Sequence, residues 1–170
     1  WFSRQIPSLV DAMFETISGF TTTGASILSD VEALSPSLLM WRSFTHWVGG
    51  MGVLVFVLAI LPLAGGGYSM YLMRAESPGP SVGKLTPKVK NTAKILYLIY
   101  LVMTVLQMIL LLIGGMPLFD SLATSFGTAG TGGFSNYATS VGHFNSAYID
   151  GVITVFMILF GINFNLYFFL

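Results

Sequence analysis

The residues able to do chemistry in this 170-residue chain sit in two short polar stretches, GFTTTGAS (Gly19–Ser26) and GTAGTGGFS (Gly127–Ser135). No acid, base or thiol lies in either. What both offer is peptide oxygen, left accessible because the residues around it are small. Gly24 and Gly133 can take backbone angles denied to other residues, so the carbonyls there can turn toward a common axis. A ring of neutral carbonyls can replace the water shell of a monovalent cation and still release it. A ring of carboxylates would suit divalent ions better.

Other chemistries fit poorly. A nucleotide-binding P-loop needs a lysine after its glycines, and none follows Gly127–Gly133. An intramembrane serine protease would need a nucleophile and a base. Ser26, Ser135, His46 and His143 are present, but neither serine sits in G-x-S-x-G and both follow the same kind of turn. Two histidines without neighbouring acidic ligands make a poor metal site, and the absence of cysteine removes thiolate metal ligands and disulfides. His46, in FTHWVGG, reads as a packed or interfacial residue. The chain is read as a non-enzyme without a cofactor.

The elements that must position the turns follow from hydropathy. Only 8% of residues are charged, against roughly 25% in soluble domains, so the chain cannot build a soluble skin. Zero net charge argues against nucleic acid as a partner. Spanning a bilayer takes about 20 apolar residues. Leu38–Leu63, Ile95–Ile113 and Ile149–Leu170 meet that length, the last with Asp150 at an interface. Leu9–Phe20 and Leu118–Ala129 are too short and read as re-entrant half-helices, each leading into one of the turns, 21–26 and 130–135. Non-helical backbone at membrane depth is tolerated only where protein buries it or where it lines a watery cavity. Arg42, near the start of its span, is expected to snorkel to the outer interface. Asn163 and Asn165 are read as partners in inter-helix hydrogen bonds, with a cavity-lining role left open.

Residues 65–94 form a linker rich in proline, glycine and charge, holding Arg74, Lys84, Lys88, Lys90 and Lys94 against one acid, Glu76. By the positive-inside rule this linker is cytoplasmic, and both half-helices lie toward the outer face. A shift of 109 residues brings Asp11 onto Asp120, Thr22 onto Thr131, Gly24 onto Gly133 and Ser26 onto Ser135 without a gap. The chain therefore reads as two copies of one unit. GGMG (Gly49–Gly52) and GGG (Gly65–Gly67) read as close helix packing. The chain opens on Trp1 and closes within the apolar run GINFNLYFFL, so it is read as an internal piece of a longer membrane protein. Broken-helix repeats also build ion-coupled secondary transporters, whose sites usually include an intramembrane carboxylate. The channel-like reading is preferred because the only candidates are Asp150, near a span end, and Glu15.

DAMFETISGFTTTGAS, HWVGGMGVLVFVLAILPLAGGG, YLMRAESPGPSVGKLTPKVKNTAK and FGTAGTGGFSN together resemble the TrkH branch of the Trk/Ktr/HKT potassium transport proteins. The RAESPGP…TP linker favours that branch over the KtrB relatives. The resemblance implies an all-α integral membrane protein of helix–re-entrant half-helix–helix repeats around a potassium-channel-like pore, with two of four repeats present. Residues 1–64 would be the first repeat lacking its first spanning helix, and 95–170 the second. Gly24 and Gly133 would be the filter glycines, with Thr22, Thr23, Thr131 and Gly132 supplying potassium-facing oxygens. Glycine rather than serine at position 24 resembles potassium-permeable members more than sodium-selective plant ones. The resemblance further implies potassium transport with some sodium leak, a homodimer, a cytoplasmic nucleotide-binding ring of the TrkA type, and a bacterial or archaeal plasma (inner) membrane. The family's gating loop and pore-lining arginine belong to its third and fourth repeats and have no counterpart here.

Neutralising Lys84, Lys88, Lys90 and Lys94 together in the full-length protein is expected to impair insertion or partner coupling and to leave ion selectivity unchanged. Reversal potentials in mixed potassium and sodium check this; a shifted ratio refutes the division of labour between linker and turns.

Overall fold

The structure, a computed structural model, describes residues 4–52 and 89–162, and these residues are helical with no strand among them. Residues 53–63 of the first expected span, Gly65–Gly67, the linker as far as Lys88, and Asn163 and Asn165 lie outside the described residues.

Helix α1 runs Leu9–Phe20, directly after Pro7 and Ser8. The Ser8 hydroxyl accepts the Asp11 N–H at 3.3 Å, a side-chain cap for an otherwise unpaired donor. Helix α2, Pro36–Trp47, starts with proline at its first position, where the missing N–H costs nothing. Its entry is clamped by Gln5, whose amide oxygen accepts the Ser35 N–H at 2.7 Å and whose amide nitrogen donates to the Ser35 hydroxyl at 3.0 Å.

After Trp47 the path departs from the single span expected over Leu38–Leu63. Val48–Gly52 forms a π-type turn with Gly50 at φ −57° and ψ −109°, outside helical geometry. Such a turn loosens the regular hydrogen-bond ladder. The Trp47 carbonyl is taken up by the Tyr100 hydroxyl at 3.0 Å.

Helix α3 runs Val89–Ile113, beginning six residues before the expected Ile95. The polar lead VKNTAK is helical, so the linker ends earlier than its composition suggests. Its segment Lys94–Ile113 is long and apolar enough to cross a bilayer, by length and composition. Helix α4 runs Leu118–Ala129 after Pro117. Helix α5 runs Ala147–Gly161 and gives way to extended backbone at Ile162 (ψ 145°); the rest of the span expected to reach Leu170 lies outside the described residues.

Helix α4 is the hub, packed against α2, α3 and α5, while α1 packs on α2. One apolar cluster joins Leu96 and Tyr100 of α3, Ala129 of α4, and Phe156 and Phe160 of α5. A second joins Leu111, Met116, Ile149 and Ile153. Trp47 ties the first cluster to α2: its ring lies 5.6 Å from those of Tyr100 and Phe126, and its indole N–H donates to Thr104 at 3.2 Å. The outward faces of α1, α3 and α5 stay apolar and exposed, among them Val10, Ile17, Leu98, Val102, Val155 and Ile158.

A Cβ on Gly50 would lie 2.6 Å from the Tyr100 hydroxyl and 3.2 Å from the Gly130 Cα. Gly50→Val is therefore expected to force α2 away from α3 and α4 at a cost of about 1–3 kcal/mol. A lowered thermal-unfolding midpoint of the detergent-solubilised protein checks it, with Gly50→Ala falling between.

Candidate functional site

The two turns have the same backbone design. Thr22 and Thr131 take φ of 54° and 55°, and Gly24 and Gly133 take 74° and 79°. A left-handed threonine is strained because its branched side chain crowds the backbone. Each turn is tethered to the end of the helix before it. Thr21 N–H donates to the Ile17 carbonyl at 2.8 Å, Thr22 N–H to Gly19 at 3.1 Å and Thr23 N–H to Ser18 at 3.0 Å. In the second turn Gly130 N–H reaches Phe126 at 3.2 Å, Thr131 N–H reaches Thr128 at 2.8 Å and Gly133 N–H reaches Gly127 at 3.3 Å.

The amides of the turns are thus largely used inward. The carbonyls of Thr22, Thr23, Gly24, Thr131, Gly132 and Gly133 accept no hydrogen bond from any described residue. The turns also meet: a Cβ on Gly24 would collide with the Gly132 carbonyl. Thr23, Thr131 and Gly133 are exposed, and Thr22, Gly24 and Gly132 are half-buried. The six residues singled out from sequence therefore come together as two adjoining loops of unpaired peptide oxygen.

Behind the first turn lies a buried ion pair. Arg42 is 6% exposed and Glu15 4% exposed, and Arg42 Nε donates to Glu15 Oε2 at 3.0 Å. The snorkelling expected of Arg42 does not occur, because a carboxylate on the neighbouring helix offers a partner inside the protein. Glu15 Oε1 accepts the Ser26 hydroxyl at 2.6 Å and the Ile27 N–H at 2.7 Å, and Arg42 Nη2 donates to the Ser26 oxygen at 3.2 Å. The Ser18 hydroxyl holds the Ala25 carbonyl at 2.6 Å.

The second turn is braced differently. Asp120 accepts from the Asn136 amide at 2.8 Å and from the Tyr137 hydroxyl at 3.0 Å. Burial, the hydrogen bond to Asp120, and the charges of Asp120 and Glu32 push the Tyr137 phenol above its ordinary pKa. Tyr137 stacks on His143 with 3.6 Å between ring centroids.

Helix α2 links the two braces. The Arg42 guanidinium carbon sits 4.2 Å from the Phe134 ring centroid, in cation–π range. His46 is fully buried, its ring centroid 4.0 Å from that of Phe134, and its Nδ1 accepts the Phe134 N–H at 3.4 Å. An accepting Nδ1 places the proton of the neutral ring on Nε2. His46 is thus a packing and positioning group. No cluster of three or more His, Asp and Glu side chains able to hold a metal ion occurs among the described residues.

Sequence reasoning missed the Glu15–Arg42 pair, the bonds of Asp120 to Asn136 and Tyr137, and the contact of His46 with the second turn. A signal for the first was available: opposite charges in two apolar segments must find each other, since neither is stable alone in a bilayer.

Comparison with known proteins points one way. The family described as TrkH, cation transport protein, matches residues 1–170. The chain is 44% identical over 162 residues to the Trk system potassium uptake protein TrkH of Salmonella typhimurium, covering 95% of the chain and 33% of that protein. It is 38% identical over 171 residues to the Trk system potassium uptake protein TrkG of Escherichia coli, covering 99% and 35%. The crystal structure of the potassium transporter TrkH from Vibrio parahaemolyticus superposes with a TM-score of 0.74 at 37% identity, over 95% of this chain and 31% of that one. The chain spans about a third of the length of the curated relatives it matches.

Asp120→Asn is expected to let the Tyr137 phenol ionise at lower pH than in the parent, since one of the causes holding it up is removed. Phenolate absorbance during a high-pH titration, with Tyr137→Phe as the blank, checks the direction.

Proposed function

The chain belongs to the TrkH cation transport protein family, and from that premise we propose that it supplies part of the potassium-conducting pore of a Trk-type uptake system. The observation that carries this reading is the pair of adjoining turns whose six carbonyls find no donor among the described residues. In this reading Thr22, Thr23 and Gly24, with Thr131, Gly132 and Gly133, form two sides of a selectivity filter. Their oxygens stand in for the hydration shell of a potassium ion. The C-terminal ends of α1 and α4 lead into the turns and add partial negative charge there. Potassium moves passively, driven by the membrane potential at about 2.3 kcal/mol per charge for 100 mV.

The two units are read as successive copies of one helix–half-helix–helix repeat, two of an expected four. Two facts support this: the half-helices are each 12 residues long, and the φ angles of the turns agree within a few degrees. The exposed apolar faces of α1, α3 and α5 fit a lipid bilayer and neighbouring repeats. The proposal extends to a multi-pass protein of the bacterial or archaeal inner membrane, dimeric, with residues 65–94 facing a TrkA-type cytoplasmic ring. An ion-coupled transporter is less well supported. Glu15 is buried against Arg42 and hydrogen-bonded to Ser26 and Ile27, which leaves it no free oxygen for a coupling ion.

Gly24→Ser in the full-length protein is expected to lower the potassium-to-sodium permeability ratio by about tenfold, equivalent to about 1.4 kcal/mol of differential ion stabilisation. Reversal potentials across reconstituted bilayers measure it. An unchanged ratio would remove Gly24 from the filter.

A further inference from the structure

We propose that Glu15 and Arg42 are positioning residues for ion selectivity, acting as one neutral brace that fixes the first turn and registers it against the second. The proposal rests on the filter reading above and deepens it.

The geometry is specific. Upstream of Gly24 the chain is tied to the end of α1 through Thr21, Thr22 and Thr23. Downstream it is tied by Ser18 at Ala25 and by Glu15 at Ser26 and Ile27. The carbonyls of residues 22–24 are therefore suspended between two anchored ends. Two of these three downstream bonds are made by a single carboxylate, whose orientation is set by Arg42 Nε at 3.0 Å. Arg42 in turn reaches Ser26 and lies over Phe134, the residue following Gly133. One side chain thus touches the flank of both turns.

A charged pair suits this task better than either charge alone. A lone carboxylate beside the turn would bind a cation too firmly for release, and a lone guanidinium would repel it. Together they provide strong, directional hydrogen bonds with little net field on the ion path. Selection by carbonyls requires those oxygens to be held closely, so loosening one anchor reduces discrimination before it abolishes conduction.

The test uses the full-length protein in bilayers, with Glu15→Gln, Ser26→Ala and Glu15→Gln/Arg42→Gln. Ser26→Ala removes the shared hydroxyl without stranding a charge, and the double variant removes both charges, so folding losses in the single charge variant do not block the measurement. The readout is the potassium-to-sodium permeability ratio, which does not depend on how much protein reaches the membrane. Each variant is expected to lower the ratio by about threefold or more, and the double variant to fall no further than the single, because members of one network are not additive. Unchanged ratios in all three, with Gly24→Ser shifting it, would overturn the brace and leave the filter standing. If Gly24→Ser also left the ratio unchanged, the filter reading would fall and the brace with it.

Discussion

Two turns of backbone touch with no side chain between them, Gly24 lying against the carbonyl of Gly132. The rest of the structure answers the demands of that contact. It needs glycine at φ of 74° and threonine at φ of 54° and 55°, conformations that cost on the order of 1–3 kcal/mol each for a non-glycine residue. Such angles persist only when the surroundings over-determine them. Here each turn is tied to the helix before it by backbone hydrogen bonds and, through neighbouring groups, to a carboxylate, so strain at the tip is offset at the base.

Helix α2 does the joining. Arg42, Thr45 and His46 share one face at helical spacing, and each meets a different part of the site. Arg42 engages Glu15, Ser26 and Phe134; Thr45 packs where a side chain on Gly19 would be; His46 receives the Phe134 amide. Burying an ion pair is weak evidence of added stability, because desolvation consumes much of the attraction. Its value here is geometric. A guanidinium held by a carboxylate is fixed in position, and its central carbon lies over the aromatic ring of Phe134 in the second turn.

Much of this was legible in the residues. Pro7 and Ser8 before Leu9, and Pro117 before Leu118, fix where the two short helices start, and the Thr/Gly runs fix where they stop. The structure has both helices at the bounds hydropathy indicated. Hydropathy erred where a helix is not apolar: Val89–Lys94 is helical but polar, so α3 begins earlier than its greasy part. It also erred where an apolar run is not straight, since Gly50 breaks the path after Trp47 without any fall in hydrophobicity. Arg42 was misplaced because its partner lies 27 positions away, and no local pattern records that distance. The bonds of Asp120 to Asn136 and Tyr137 were illegible for the same reason: they exist only once the chain has doubled back.

The dependence of Phe134 on His46 and Arg42 runs in one direction along the chain. Both supports lie in a helix that leaves the ribosome well before residue 134 does. The later loop is received by a seat that was translated ahead of it, whereas the earlier loop is held by Glu15 and Ser18, translated before it, and by Arg42, translated after it. The residues that seat the later loop are thus synthesised before the loop itself. An error made in the opening forty-odd residues would therefore surface as a misformed turn ninety residues later.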